Sequence, residues 1–467
     1  MTKNSFVPEF QAFADKMQAE GIADVAISNF HRHFQQLLEG HVGLISETEI
    51  NPVNTLADAE SLDEKYANQG KAALAATVMI KLNGGLGTSM GMEAAKSLIT
   101  VKDEFSFLDI IIRHSVEMET KLLFMNSFST RDDTLKVIAG SGLLSSTGLP
   151  HDFLQHKVPR ITCEQMQPAT FDTRPQLEWC PPGHGDIYIA LLSSGLLTTL
   201  LEQGIQYAMI SNSDNLGASL DESLLGYLVQ EKLPFLMEVT DRTEADKKGG
   251  HLAQASDGSL LLRESAQCPE EDRQQFENIE RHRYFNTNNL WINLEVLKAY
   301  LDNNNNIIDL PLICNRKSID SQDPSSEAVY QLETAMGSAI SVFPGAAAIR
   351  VPRTRFAPVK TTSDLLLLQS DLYQLTDQFT VASKLPPSEL PRVTLDGKFY
   401  RLINDFQERF ANGVPALAEC KGLDIKGDFS FGKNVKLVGD VVLDNSTDTQ
   451  VQIEDGAVLQ GTLTWED

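Results

Sequence analysis

The sequence predicts an α/β protein, an open sheet covered by helices and followed by a β-helix-like tail, and three observations predict it. From about residue 75 to 375, short apolar runs alternate with amphipathic segments of helical period, as strands and crossover helices do. A glycine-rich stretch, Lys81-Leu-Asn-Gly-Gly-Leu-Gly-Thr-Ser-Met-Gly91, follows the first apolar run. From about residue 415 onward, apolar pairs recur every six positions: Leu423/Ile425, Phe429/Phe431, Val435/Leu437 and Val441/Leu443. The rhythm resumes at Val451/Ile453 and Ala457/Leu459 after an insertion around Thr447 to Gln450, which is the pattern of stacked coils.

Each element follows in chain order. Residues 1–74 read as a helical N-terminal segment, because Phe10, Phe13, Met17, Ile22, Val25 and Ile27 recur near helical spacing ahead of a polar stretch from Asp58 to Glu64. Thr77 to Leu82 reads as the first strand of a sheet domain spanning 75–375. Ser106-Phe-Leu-Asp109 has the spacing of a capping box and is expected to start a helix through Ile110, Ile112, Val116 and Leu122. Asp186 is expected to cap a helix through Ile187, Leu191, Leu197 and Leu201 that stops at Gly204. The strand Gln206 to Ile210 then delivers Ser211-Asn-Ser-Asp-Asn215. Residues 376–414 form an expected helical connector, and 415–467 a β-helix-like domain with a core of its own and an exposed end that invites pairing with a second copy.

Charge narrows the function. The 467 residues include 64 acidic and 39 basic ones, a formal net charge of −25. That balance disfavours a nucleic-acid partner or an anionic membrane surface, and an anionic small substrate would need local positive charge or a bound cation. The N-terminus lacks an apolar signal core and no apolar stretch reaches membrane-spanning length. The five cysteines, at 163, 180, 268, 314 and 420, form no Cys-x-x-Cys pair, which suggests reduced thiols and a cytoplasmic location.

The chemistry-bearing residues cluster in a few segments. Glycines 84, 85, 87 and 91 allow backbone N–H groups to approach an anion, and Lys96 adds a mobile positive charge. Gly85, Gly87 and Gly91 give G-x-G-x-x-x-G, which is neither a P-loop nor a dinucleotide fingerprint; a flexible turn is the plain alternative. Asp214 follows a strand and suits Mg²⁺, although an Asx turn explains it equally well. Asn212 lies on the same face and suits a hydroxyl or a phosphate-bound water. Pro181-Pro-Gly-His-Gly-Asp186 offers backbone donors and His184 to a base or sugar, or is simply a structural turn. Phe285 to Asn293 is dense in amides, which suit sugar hydroxyls. Arg353, Arg355 and Lys360 form a basic island that a salt-bridged surface strand would also explain. Gly427 to Lys433 imitates a P-loop, but Asn434 stands where Ser or Thr is required.

Taken in order, these segments resemble the eukaryotic-type UTP:glucose-1-phosphate uridylyltransferases, or UDP-glucose pyrophosphorylases. The resemblance rests on Lys81 to Gly91, Met125-Asn-Ser-Phe128, Pro181 to Tyr188, Ser211 to Ala218, Lys248-Gly-Gly250, Phe285 to Leu294, Gln331-Leu-Glu-Thr334 and Val351 to Tyr373. It implies a Rossmann-like nucleotidyltransferase fold, with a mixed central sheet and flanking helices, and a left-handed β-helix-like tail. It further implies that glucose 1-phosphate attacks the α-phosphorus of UTP, yielding UDP-glucose and pyrophosphate with Mg²⁺ and no covalent intermediate. By the same resemblance Leu82, Asn83, Gly84, Gly85, Met125, Gln155, Gly183 and Asn212 contact the nucleotide. His184 and Asn288 meet the sugar, Asp214 the metal, and Lys96 and Lys360 are the catalytic cations. The chain departs from many relatives in carrying Ala94-Ala95 where they have Gly-Pro, and the segment around Gln155 matches loosely. A pyrophosphorylase for N-acetylhexosamine or several sugar 1-phosphates would share this chemistry. Joint retention of Lys96, Asp214 and Lys360 stands against a non-catalytic UDP-sugar sensor.

Overall fold

A computed structural model describes residues 6–144, 148–320 and 323–466. Its main sheet is built on eight strands: β1 (Ala57–Asp58), β2 (Thr77–Asn83), β3 (Lys121–Asn126), β4 (Asp152–Leu154), β5 (Tyr207–Asn212), β6 (Phe235–Asp241), β7 (Tyr284–Asn293) and β8 (Ala347–Arg350). They lie in the order β1-β8-β6-β7-β5-β2-β3-β4. Neighbours run parallel except at β7, which is antiparallel to both β5 and β6. The sheet is therefore mixed, with β7 between two parallel blocks.

The strands are apolar on both faces because both are covered. Val78 and Ile80 of β2, Leu123 and Met125 of β3, and Ala208 and Ile210 of β5 enter one apolar cluster, while Met79, Leu122, Phe124 and Met209 enter another on the opposite side. That alternation is the two-residue period of a strand.

Two expected helices differ in instructive ways. The Ser106 capping box forms, with Asp109 as its reciprocal partner, but the helix covers Phe107–Glu117 and Leu122 belongs to β3. A left-handed turn at Glu119 (φ 50°) ends the helical run, and the apolar residues that follow take the strand period. Asp186 does not cap its helix. Its carboxylate accepts hydrogen bonds from the His156 backbone N–H (2.7 Å) and contacts the ring Nδ1 (2.9 Å). The helix is also split into Ile187–Ser193 and Leu196–Glu202, bent by 68° at the Ser194-Gly195 pair.

The N-terminal segment holds the helices Gln11–Ala19, Asp24–Leu38 and Glu64–Ala73, yet it also contributes strands. Ile50–Pro52 pairs with His251–Ala255, and β1 forms an edge of the main sheet. The expected helical connector is likewise partly extended. Val381–Ser383 pairs with Tyr373–Leu375, and Arg392–Leu395 (β9) starts the ladder of the tail, with the short helices Gly397–Tyr400 and Ile403–Arg409 following.

In the tail, β9, β10 (Ala416–Lys426), β12 (Lys436–Asn445) and β14 (Val458–Trp465) form one parallel ladder, while β11 (Phe429–Phe431) and β13 (Val451–Ile453) form another. The apolar pairs stack: Leu423 and Ile425 lie beside Val441 and Leu443, and Phe429 and Phe431 beside Val451 and Ile453. Their core is not separate. It is one cluster with Met90, Ile99, Val101, Phe107, Ile110, Leu365 and Leu366, so a cut at residue 415 passes through a shared interior. Lys433 sits in a turn between strands, its backbone N–H on Asp455 Oδ1 (2.7 Å), and not at a helix N-terminus. All five cysteines are free, and among the described residues no single helix is long and apolar enough to cross a membrane.

Candidate active site

Open α/β sheets present ligands with the carboxyl ends of their parallel strands. Here the registers set Asn212 beside Leu82, Leu82 beside Met125, and Met125 beside Phe153, one row across β5, β2, β3 and β4. Asn83, one residue on, is buried and spends its amide on Asn126 Oδ1 (2.9 Å) and Thr134 Oγ1 (2.8 Å). Its side chain braces the base of the glycine loop.

That loop folds back on itself. Lys96 N–H donates to the Gly85 carbonyl (3.2 Å) and Leu86 bridges Ala95, which returns Lys96 to the row of strand ends. Lys96 Nζ then donates to Asp214 Oδ2 at 2.7 Å. Asp214 Oδ1 is buried and has no hydrogen-bond partner among the described residues. Gln155 spans the opposite wall: its Nε2 donates to the Gly183 carbonyl (2.8 Å) while its Oε1 faces Gly84. Gly183 has φ +78°, and a Cβ there would lie 2.3 Å from the Thr334 carbonyl oxygen, so the turn reaches the Gln331–Thr334 segment only without a side chain. His184 Nδ1 accepts from the Met336 backbone N–H (2.9 Å). Burial pushes this imidazole down to about 4, so it is neutral with its proton on Nε2.

The amide-rich strand carries a β-bulge. Glu238 pairs with Asn289 and Val239 with Asn286, leaving Thr287 and Asn288 as the extra residues. Asn288 sits at φ 57° and its Oδ1 accepts from Asn286 Nδ2 (2.9 Å). Bulges of this kind re-aim side chains beside active sites. Lys360 arrives on an arm sewn to the Asp214 turn. Val359 N–H donates to the Asp214 carbonyl (3.2 Å), and Ala357 N–H donates to Asn215 Oδ1 (3.0 Å). The basic island is mostly neutralised, because Arg353 pairs with Asp246 (2.6 Å) and Arg355 with Glu238 (2.7 Å). Lys360 is exposed, and among the described residues its amine is in no such ion pair.

A family model described as UTP--glucose-1-phosphate uridylyltransferase matches residues 27–438. The chain belongs to this family. It is 41% identical over 420 residues to the uridylyltransferase of Hordeum vulgare, covering 88% of this chain and 85% of that one. The uridylyltransferase of Encephalitozoon cuniculi is 36% identical over 94% of this chain and 87% of its own. Among solved structures, a variant of UDP-glucose pyrophosphorylase from Leishmania major in complex with UDP-glucose superposes with a TM-score of 0.91, at 40% identity over 99% of this chain and 100% of that one.

Beside these residues of the uridylyltransferase family member, two groups stand out that sequence reasoning did not single out as site residues, the half-buried Glu264 and the buried Lys81. Glu264 packs on Gly250, where a Cβ would lie 2.5 Å from its Oε2, and burial raises its carboxyl to about 7 against the opposing pull of an Asn286 hydrogen bond and the Lys360 charge. Only the neighbouring Lys248-Gly-Gly250 hinted at it in the sequence. Lys81 is 2% exposed; its Nζ donates to Ser211 Oγ (2.8 Å) and the Ala218 carbonyl (2.7 Å), and burial pushes the amine down to about 7. Lys81 was visible as the first letter of the glycine motif, but nothing marked it as the clamp across the Asp214 turn. Among the described residues no three His, Cys, Asp or Glu side chains gather into a metal cage. A divalent ion would rest on Asp214 Oδ1 and on phosphate and water oxygens, which is the ligand set Mg²⁺ accepts.

Proposed function

We propose that this protein transfers the uridylyl group of UTP to glucose 1-phosphate, releasing pyrophosphate and UDP-glucose by direct attack of the sugar phosphate on the α-phosphorus. The observation that carries this is the convergence of Lys96, Asp214 and Lys360: an ion pair joins the first two, and a backbone hydrogen bond fixes the arm of the third to the turn of the second. Two anionic substrates repel one another, and in a chain of net charge −25 their approach depends on cations fixed at the point of reaction.

Leu82, Gly84, Gly85, Met125, Gln155, Gly183 and Asn212 line the nucleotide side in this reading, with the backbone of Asn83 among them. Lys96 neutralises the leaving pyrophosphate, and Lys360 meets the charge that develops between sugar phosphate and α-phosphate. Neutral His184 donates through Nε2 to a sugar or phosphate oxygen, while Asn288 and Glu264 accept from and donate to sugar hydroxyls. Asp214 Oδ1 would hold Mg²⁺, which when bound would supply positive charge to the phosphate oxygens. Held in line, the substrates need orientation and charge stabilisation and no nucleophile from the protein.

We place the enzyme in the cytoplasm and read the tail as a left-handed β-helix whose last coil, β14, takes a second copy. The deciding assay measures pyrophosphate release from UTP with a panel of sugar 1-phosphates, with and without Mg²⁺. Turnover confined to glucose 1-phosphate and abolished by chelation is the expected result. Turnover of N-acetylhexosamine 1-phosphates would move the specificity, and UDP-sugar binding without any turnover would leave a sensor.

A further inference from the structure

We infer that the buried Arg355–Glu238 pair is a positioning joint that sets the Lys360 arm against the Asp214 turn. The inference rests on the roles given above to Lys360 and Asp214. Glu238, on β6, is 0% exposed. Its two oxygens accept a fork from Arg355, Nε to Oε2 and Nη2 to Oε1, both at 2.7 Å. They also accept from Trp291 Nε1 (2.8 Å) and Asn289 Nδ2 (3.1 Å), so among the described residues the hydrogen-bond partners of this carboxylate come from the arm and from the bulged strand β7.

Arg355 carries the connection onward. Its carbonyl oxygen accepts from both Asn215 Nδ2 (3.1 Å) and Asn289 Nδ2 (3.1 Å), and its Nη2 donates to the Ser219 carbonyl (2.9 Å). The turn bearing Asp214, the strand bearing Asn288 and the arm bearing Lys360 thus meet at Arg355, through its guanidinium and its backbone carbonyl, and at the Glu238 carboxylate, with Asp221 3.6 Å from Nη1 on the outer side. The arm and the turn also touch backbone to backbone, because a Cβ on Gly217 would lie 2.4 Å from the Thr354 carbonyl oxygen. At such a contact a displacement of the arm cannot be absorbed by a side chain.

A buried ion pair contributes little net stability, since desolvating two charges costs about what their attraction returns, and apolar residues of the same size often serve as well. What the forked geometry does supply is direction. An Arg–carboxylate fork fixes distance and plane together, whereas a lysine ammonium fixes neither. Placement of a reacting group matters at the scale of an ångström, where a misfit costs about 100-fold in rate.

The test is a double-mutant cycle between Arg355→Lys and Lys360→Ala, read as kcat, KM for UTP and melting temperature. A joint predicts that Arg355→Lys lowers kcat by about 100-fold with KM for UTP and melting temperature near those of the parent, and that the same change does little more in the Lys360→Ala background. An equal loss in both backgrounds, or a normal kcat in folded Arg355→Lys protein, overturns it. Should Arg355→Lys not fold, Asn215→Ala removes the side-chain bonds of the turn to the Arg355 carbonyl and the Ala357 N–H, leaving the backbone bond of Val359 to Asp214, and loosens the same joint without stranding a buried charge; it carries the same two expectations. Near-normal turnover of Lys360→Ala itself would instead overturn the reading of the site, so the two failures are separable.

Discussion

Lys96 Nζ lies 2.7 Å from Asp214 Oδ2, with the two side chains 17% and 24% exposed. The lysine that should face phosphate and the carboxylate that should face metal hold one another. A metal–triphosphate entering this site therefore exchanges one ion pair for others, and neither charge has to be stripped of water unaccompanied.

Asp214→Asn tests that exchange. Removing the carboxylate abolishes the dependence of turnover on Mg²⁺ concentration together with most of the activity, and it frees Lys96. UTP binding measured in chelator should then tighten several-fold relative to the parent, because an anion repelling the triphosphate has gone. A Mg²⁺ titration unchanged by the substitution would reduce Asp214 to a turn residue.

Lys360→Ala should lower kcat by about 3 kcal/mol of transition-state stabilisation, two orders of magnitude or more, because its charge is matched to the reacting phosphates and not to the bound nucleotide alone. Its side chain is exposed, so the melting temperature should not move. Turnover within a few-fold of the parent would sink the assignment.

Glu264 should give the enzyme a pH signature. Its carboxyl titrates at about 7, so KM for glucose 1-phosphate should fall as the pH rises through neutrality and the group becomes a full acceptor for hydroxyls. Glu264→Gln should remove that component of the profile while keeping the hydrogen bond to Asn286. A KM profile of the same shape in both proteins would show that Glu264 does not meet the sugar.

Stability should decline on mild acidification. His33 and His184 are held at about 4 in the folded chain against 6.5 in the free side chain. Between those values the unfolded chain binds more protons, so stability rises with pH across the window and is lost as pH falls from 6.5 towards 4. His31, His114, His251 and His282 shift the same way, while His156, held by Asp186, and the carboxyls of Glu264 and Glu333, raised by burial, shift upward and oppose them, so the loss is what the six histidines leave after that offset. Urea midpoints compared at about pH 7 and about pH 5 would show the loss, and equal midpoints would contradict it.

Deleting the chain from about residue 415 should not leave a folded sheet domain. The truncation uncovers Met90, Ile99, Val101, Phe107 and Ile110, which share a cluster with Leu417, Leu423 and Phe429. Circular dichroism and a melting scan of the truncated protein would decide; a sharp transition near that of the parent would restore a boundary at 415.

Much of this was legible because local rules and the global fold agree. Val78 to Ile80, Ser106/Asp109 and the paired apolar residues of the tail carry their periods openly, and each sits where its period requires. What failed to show was set by partners distant in sequence. Asp186 looked like a cap and is claimed by His156; Leu122 continued a helical spacing and was taken by the sheet. Arg353 and Arg355 read either as a basic island or as a salt-bridged strand, and the fold decides for the second by bringing Asp246 and Glu238 against them. In the candidate site, the loop and turn letters marked Lys96, Asp214 and Lys360, whereas the motif letters beside Glu264 and at Lys81 did not give their roles, which follow from what packs around them.

The tail has a practical meaning for mutational screening. Leu402, in the link between β9 and β10, lies against Gly91 of the glycine loop, and Met90 shares its cluster with the coil residues. Substitutions there would be scored as remote by sequence distance, yet they change the packing beneath the glycine loop. Variants of Leu402, Leu417 or Leu423 should therefore be scored together with loop variants, because a library that spares residues 81–96 while randomising the tail would still be changing what packs beneath that loop.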